Sequence, residues 1–184
     1  MDSLTENKSV DYTPYKSEFL AIDTNMVYRI LPAIRQGYNH YNRIGPNVTM
    51  TNIKLRALLY ETATTPLPVF FALLYEYGNI PDLTTMTTRP LLSIERDGLT
   101  NTAGFPFVNP NLTDTYTVLY YKMGILSSAE PGLVIDTEID NIALPSQYQP
   151  ADTYDTFRGR LIMIMTNSTD LLIKSTVRVE FIDT

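Results

Sequence analysis

The sequence has no cysteine, no tryptophan and a single histidine among 184 residues. The first absence removes disulfide staples, thiolate nucleophiles and cysteine zinc sites together, so stability has to come from packing and association. A lone histidine, His40, excludes relays built on several imidazoles, and it reads more readily as a turn residue than as a general base without an orienting partner. Cations are scarce as well: Lys and Arg number 14 against 20 Asp and Glu, a formal charge of −6, with a pI near 4.7. A dominant basic surface that grips nucleic acid through its phosphates is therefore not expected. Apolar runs such as Pro68 to Tyr75 fall far short of the roughly 20 residues of a spanning helix, so no membrane span is expected. No Gly-rich phosphate loop, metal-binding His pair or nucleophile elbow is present, and neither a catalytic residue nor a cofactor is expected. The opening MDSLTENKSVDYTPYK has no basic start and no apolar core, so no secretory signal is expected there.

What is present is a globular balance, 44% hydrophobic and 18% charged, which fits a single domain over residues 16–184 behind a polar arm or lead-in at residues 1–15. Two apolar clusters lie between Ser17 and Ile34, with Pro32 opposing one continuous helix. From Arg35 the chain reads RQGYNHYNRIGPNVTMTNIKLRALLY, a polar turn over Gln36 to Pro46 that feeds a long strand. Gly37 and Gly45 are expected to adopt backbone angles that a Cβ forbids, while Asn39 and Asn42 suit turn hydrogen bonding. In the strand Val48 and Met50 alternate in one phase and Ile53, Leu55, Ala57 and Leu59 in the other, which places a β-bulge at Thr51-Asn52. Pro68 to Tyr75 is apolar in both parities and predicts a strand buried on both faces.

Further on, short strands are expected at Leu91 to Glu95, Tyr116 to Leu126, Leu133 to Leu144 and Arg160 to Met165. Leu171 to Ile182 closes the chain with Ile173, Val177, Val179 and Phe181 on its dry face. Long loops separate them at Glu76 to Arg89, Arg96 to Thr113 and Gln147 to Phe157. About eight strands with almost no helical period is the pattern of a sandwich, barrel or jelly roll.

Three groups of side chains stand out. Asp136, Glu138 and Asp140 alternate on one strand face and are calcium candidates, although a solvated, pairing-averse edge explains them more simply. Lys54 and Arg56, Arg158 and Arg160, and Lys174 and Arg178 fall on the polar sides of their segments; the third and last strands need not share a sheet, so these do not combine into one patch. Tyrosine is over-used, with 13 copies, and those in turns and loops, such as Tyr38, Tyr41, Tyr148 and Tyr154, are better explained by contact with another molecule than by core filling. Phe105 and Phe107 in a Gly/Pro-rich loop raise the same expectation.

The pattern QGY-x-x-x-NRIG followed by I-x-L-R, carried by Gln36, Gly37, Asn42, Arg43, Ile44, Gly45, Ile53, Leu55 and Arg56, resembles the coat proteins of circovirus-like, circular single-stranded DNA (CRESS-DNA) viruses. The resemblance implies an all-β, eight-stranded viral jelly roll of two facing antiparallel sheets, whose copies self-assemble into an icosahedral shell around a small single-stranded DNA genome. It implies a virion protein, made and assembled in the host nucleus or cytoplasm, whose first partner is itself. Subunit contacts would then fall on the loops at Gln36 to Pro46, Arg96 to Pro110 and Ser146 to Phe157, with Tyr38, His40, Tyr41, Arg43, Phe105, Phe107, Tyr148 and Tyr154 as candidates. Lys54, Arg56, Arg158, Arg160 and Arg178 would be candidates for sequence-independent contact with the viral DNA. The resemblance also implies an arginine-rich genome-binding arm, and nothing of that kind precedes Tyr12. A second reading is a β-sandwich module that binds a carbohydrate or host receptor through Tyr-rich loops; a cupin-like enzyme is disfavoured by the single histidine.

Overall fold

The computed structural model describes residues 6–22, 26–62, 65–79, 91–92, 95–96, 99–100, 107–108, 115–148 and 156–184. Eight principal strands carry the fold: β1 (Lys8–Tyr12), β2 (Met26–Ile30), β3 (Asn47–Glu61), β4 (Leu67–Asn79), β5 (Tyr116–Leu126), β6 (Gly132–Ile139), β7 (Thr156–Thr166) and β8 (Leu171–Asp183). Their antiparallel ladders give two groups, ordered β1-β8-β3-β6 and β2-β7-β4-β5. In both, strands from the two ends of the chain lie beside strands from its middle, which is the wiring of a jelly roll. A further strand, Leu144–Tyr148, pairs with β3 on one side and β7 on the other, so hydrogen bonding continues around one edge from the first sheet to the second.

The core follows from side-chain parity. Ile53, Leu55, Ala57 and Leu59 of β3, with Ile135, Ile173, Val177 and Val179, meet Val69, Phe71, Leu73, Tyr75, Leu161, Met163 and Met165 of the facing sheet. Each large side chain buried this way contributes about 1.5–3 kcal/mol. The expected bulge in β3 is present at Thr51, since Glu180 pairs with Asn52 and Phe181 with Met50. That extra residue returns Val48 and Met50 to the buried side, where both are almost fully enclosed. The two-faced burial expected of Pro68 to Tyr75 also holds: Phe70, Ala72 and Leu74 point away from the sandwich interior into a second cluster with Met26, Tyr28, Tyr116, Ile162 and Ile164.

Other expectations are revised. The lead-in at residues 1–15 is not loose throughout, because β1 pairs with β8 over its whole length, and Val10 and Tyr12 pack on the core. Leu133 to Leu144 is not one strand: β6 stops at Ile139, Asn141 takes a left-handed φ of 53°, and Leu144 opens the bridging strand. The loop placed at Gln147 to Phe157 accordingly starts inside a strand. Of the region Arg96 to Pro110, the described parts are two-residue ladders, Glu95–Arg96 with Leu99–Thr100 and Leu91–Leu92 with Phe107–Val108. Phe105 and Tyr154 lie outside the described residues.

Candidate functional site

The turn between β2 and β3 is built inward as well as outward. Its ends are closed by Arg43 N–H donating to the Arg35 carbonyl at 2.9 Å and Gly37 N–H to the Arg43 carbonyl at 2.9 Å, with a reverse turn at Asn39 to Asn42. Gln36 Nε2 donates to the Ile44 carbonyl at 2.9 Å. The sequence suggested left-handed glycines here, yet neither Gly37 nor Gly45 has a positive φ. At Gly37 a Cβ would come within 2.3 Å of Asn42 Nδ2, so any larger residue there displaces the Asn42 side chain. Its neighbour Gly45 meets nothing closer than 4.0 Å.

Arg43, a candidate contact residue, is 1% exposed and holds the turn from within. Its Nε donates to the Ile34 carbonyl at 3.0 Å and its Nη1 to the Gly45 carbonyl at 2.6 Å. The guanidinium lies 4.4 Å from the centroid of the Tyr148 ring. Burial lowers the Arg43 pKa, against the opposing influence of Tyr148 and Asp183. Tyr148 is itself buried, and burial pushes its phenol up to about 12 against hydrogen bonds from Ile34 and Ser146 and the Arg43 charge. Neither residue is available at the surface, which corrects their placement among the contact candidates. The physical reason is that two backbone carbonyls and an aromatic face receive the guanidinium inside the turn, although its Nη2 is buried without a hydrogen-bond partner among the described residues.

A second tie joins the turn to both chain ends. Lys8 Nζ donates to Asp183 Oδ2 at 2.7 Å and to the Asn42 carbonyl at 3.1 Å, while Ile44 N–H donates to Asp183 Oδ1 at 2.8 Å. Both Lys8 and Asp183 were missed in the sequence, where nothing marks residues 175 positions apart as partners. On this rigid base Tyr38 is 98% exposed, His40 and Tyr41 are exposed and meet edge to face at 5.1 Å, and Ile44 is exposed beside them. Three of the contact candidates thus share one protruding surface.

The basic candidates separate differently. Arg160 is buried and paired with Glu76, whose other oxygen accepts from the Tyr116 hydroxyl at 3.0 Å, so Arg160 is removed as a nucleic-acid contact. Arg158 remains exposed. Lys54, Arg56 and Arg178 do share one face, contrary to expectation, because β3 and β8 are hydrogen-bonded neighbours. Across four strands Asp11, Arg178, Lys54 and Glu138 form a single row. Arg178 forks onto both oxygens of Asp11 at 2.7 Å, and its hydrogen bond lowers the Asp11 pKa. Lys54 lies 3.0 Å from Glu180 and 3.3 Å from Glu138, and Arg56 lies 3.2 Å from Asp136. The cations of this face are therefore balanced by carboxylates, and phosphate would have to displace them.

The same pairing uses up the calcium candidates. Asp136 faces Arg56, and Glu138 accepts from Asn52 Nδ2 at 2.6 Å, which leads the lowering of its pKa. Asp140 lies beyond the end of β6. Among the described residues no group of three His, Cys, Asp or Glu side chains is placed to hold a metal ion, and no helix is long and apolar enough to cross a membrane.

The fold thus defines an all-β jelly-roll protein with a protruding aromatic turn. The sequence matches no protein-family model and no curated protein.

Proposed function

We propose that this chain is a structural subunit that self-assembles into a closed icosahedral shell, like the circovirus-like coat proteins its turn resembles, and encloses a small single-stranded DNA genome in a virion. The observation that carries the reading is the turn itself. Gln36, Gly37, Asn42, Arg43, Ile44 and Gly45, the residues of the resemblance, each have a structural part in a braced unit that holds Tyr38 and Tyr41 out in solvent. Bracing a turn through a buried guanidinium in order to expose aromatics is costly for an isolated monomer and reasonable for a subunit whose contact surface must be preformed. Assembly needs no catalytic group, and many weak contacts closed by symmetry are sufficient. The charges of the β1-β8-β3-β6 face are mutually paired, so on this reading genome contact there would have to displace carboxylates.

Light scattering and negative-stain microscopy of the purified chain at neutral pH test it. Uniform hollow particles are expected, with no change on adding a calcium chelator. A stable monomer or small oligomer under all conditions would overturn the shell reading and favour a binding module that uses the same turn on a glycan or receptor.

A further inference from the structure

We propose that the cleft beside the bridging strand is a binding site for a neutral sugar, the pyranose end of a glycan chain. It has a volume of about 390 Å³ and is lined by Asn47, Tyr75, Tyr77, Pro145, Gln147 and Arg158 among others, a size in the usual range of small-ligand sites. Register brings its polar groups together. Asn47 of β3 stands directly opposite Gln147 of the bridging strand, and Gln147 stands opposite Arg158 of β7, so three strands contribute neighbouring polar side chains. From β4 comes Tyr77, 39% exposed, where the buried run from Val69 to Glu76 ends. The walls are fixed. The Tyr75 hydroxyl donates to the Pro145 carbonyl, Ser146 Oγ donates to the Gly159 carbonyl at 2.6 Å, and the Tyr77 and Thr117 hydroxyls are hydrogen-bonded. The Tyr75 and Tyr77 rings meet edge to face at 5.0 Å. The shape is therefore preformed, which lowers the ordering cost of binding.

The chemistry of the lining selects the ligand. Asn47 and Gln147 are half-buried, and among the described residues their side-chain amides have no hydrogen-bond partner. An amide both donates and accepts, and so does a sugar hydroxyl, so two amides side by side match a pair of adjacent hydroxyls. The open part of the Tyr77 ring supplies apolar surface for the C–H face of a pyranose. Among the described lining residues there is no Asp or Glu side chain, and Arg158 is the one basic side chain. A cationic ligand therefore has no counter-charge, and a nucleic-acid strand finds one cation where it needs several. A neutral ring with many hydroxyls matches the amides and the aromatic together. The cleft lies within one chain, so the sugar site does not depend on the shell reading.

Saturation-transfer difference NMR of the purified chain tests this, with the methyl glycosides of glucose, galactose, mannose, fucose and N-acetylglucosamine as probes and a thymidine oligonucleotide as the competing one. At about 10 mM, enough to reveal a millimolar site, at least one glycoside is expected to receive saturation, most strongly at the C–H protons of one ring face. Tyr77→Leu and Gln147→Ala should each weaken that binding at least about fivefold. They lie on different strands, and circular dichroism with the thermal midpoint checks that each is folded; if Tyr77→Leu does not fold, Gln147→Ala decides. No transfer to any glycoside from the folded wild-type chain, transfer that the folded variants leave unchanged, or transfer to the oligonucleotide alone would overturn the sugar site. None of these results bears on whether particles form. A chain that binds the sugar and stays monomeric overturns the shell reading alone.

Discussion

The Arg43 guanidinium lies 4.4 Å from the centroid of the Tyr148 ring, two residues that are both buried although each was expected at a surface. One is the centre of the turn and the other ends the bridging strand, so their contact fixes the turn to the seam between the two sheets. Hydrogen bonds made by a charged donor contribute about 1.5–3 kcal/mol each, and Arg43 makes two to carbonyls. Arg43→Ala should therefore cost about 3 kcal/mol or more, and Arg43→Lys an intermediate amount because an ammonium cannot fork between Ile34 and Gly45. Urea midpoints at an unchanged slope measure both; a cost within ~0.5 kcal/mol for the alanine variant would show that the turn holds without it.

Among the described residues Gly159 is the position where a glycine is obligatory. Its φ is +69°, and a Cβ would stand 2.0 Å from the Pro145 carbonyl oxygen and 2.5 Å from the Tyr75 hydroxyl. That hydroxyl donates to the same carbonyl, and Ser146 Oγ donates to the Gly159 carbonyl at 2.6 Å, so the close approach knits β7 to the bridging strand. Gly159→Ala combines left-handed strain, about 1–3 kcal/mol, with a backbone clash, and should leave little folded protein. Gly45→Ala, with open space around it, should shift the midpoint by less than about 1 kcal/mol. Comparable losses for the two would contradict this geometry.

These residues also mark what could be seen in the sequence. The bulge at Thr51 was legible because the apolar parity switches between Met50 and Ile53, and only an extra residue keeps both phases buried. The two buried faces of β4 were legible because both of its parities are apolar. The sharing of one face by Lys54, Arg56 and Arg178 was not, since it depends on β3 pairing with a strand more than 100 positions away. Arg43 and Tyr148 read as surface residues because burial of a guanidinium depends on carbonyls and a ring assembled from three segments. Gly159 could have been suspected: a glycine inside a strand often marks a bulge or close backbone approach.

Glu76 and Arg160 form another buried polar unit, linked directly and joined by the Tyr116 hydroxyl. Removing one partner leaves the other's buried charge without this counter-charge, and such losses run to about 3–5 kcal/mol. Glu76→Leu and Arg160→Met should each be severely destabilising, and the double variant should cost less than their sum by at least ~1 kcal/mol. Additive losses in a double-mutant cycle would show that the pair contributes no coupling.

Stability should fall on the alkaline side. Burial raises the Tyr75 phenol to about 12, with Tyr77 and Tyr148 adding, and burial raises Tyr148 to about 12 as well. A group whose folded pKa is raised contributes stability that is complete below its unfolded value, 10.0 here, and lost as pH rises through the folded one. Unfolding should therefore set in between pH 10 and 12, with these phenols absent from the early part of an ultraviolet tyrosinate titration. Tyr148→Phe should move that onset upward relative to its own stability at pH 8; an unchanged onset would show that this phenol is not the sensitive group.

Deleting Thr51 tests register rather than contact. The bulge lets Val48 and Met50 share a buried side with Ile53, and Thr51 Oγ1 reaches the Glu180 carbonyl at 3.3 Å across it. Without Thr51, Met50 is followed directly by Asn52, so Val48, Met50 and Ile53 alternate in straight period two and every pairing of β3 with β8 can be kept with no bulge. Both apolar sets should therefore stay inside, and the cost should be confined to the hydrogen bonds that Thr51 makes, about 0.5–1.5 kcal/mol each. Because Val48 packs with Ile34, Tyr148 and Phe181 under the turn, hydrogen exchange at the amides of Arg43 and Ile44 should stay close to that of the wild type in the deletion variant. Fast exchange confined to those amides would show instead that the strand keeps its old parity and turns Val48 and Met50 outward.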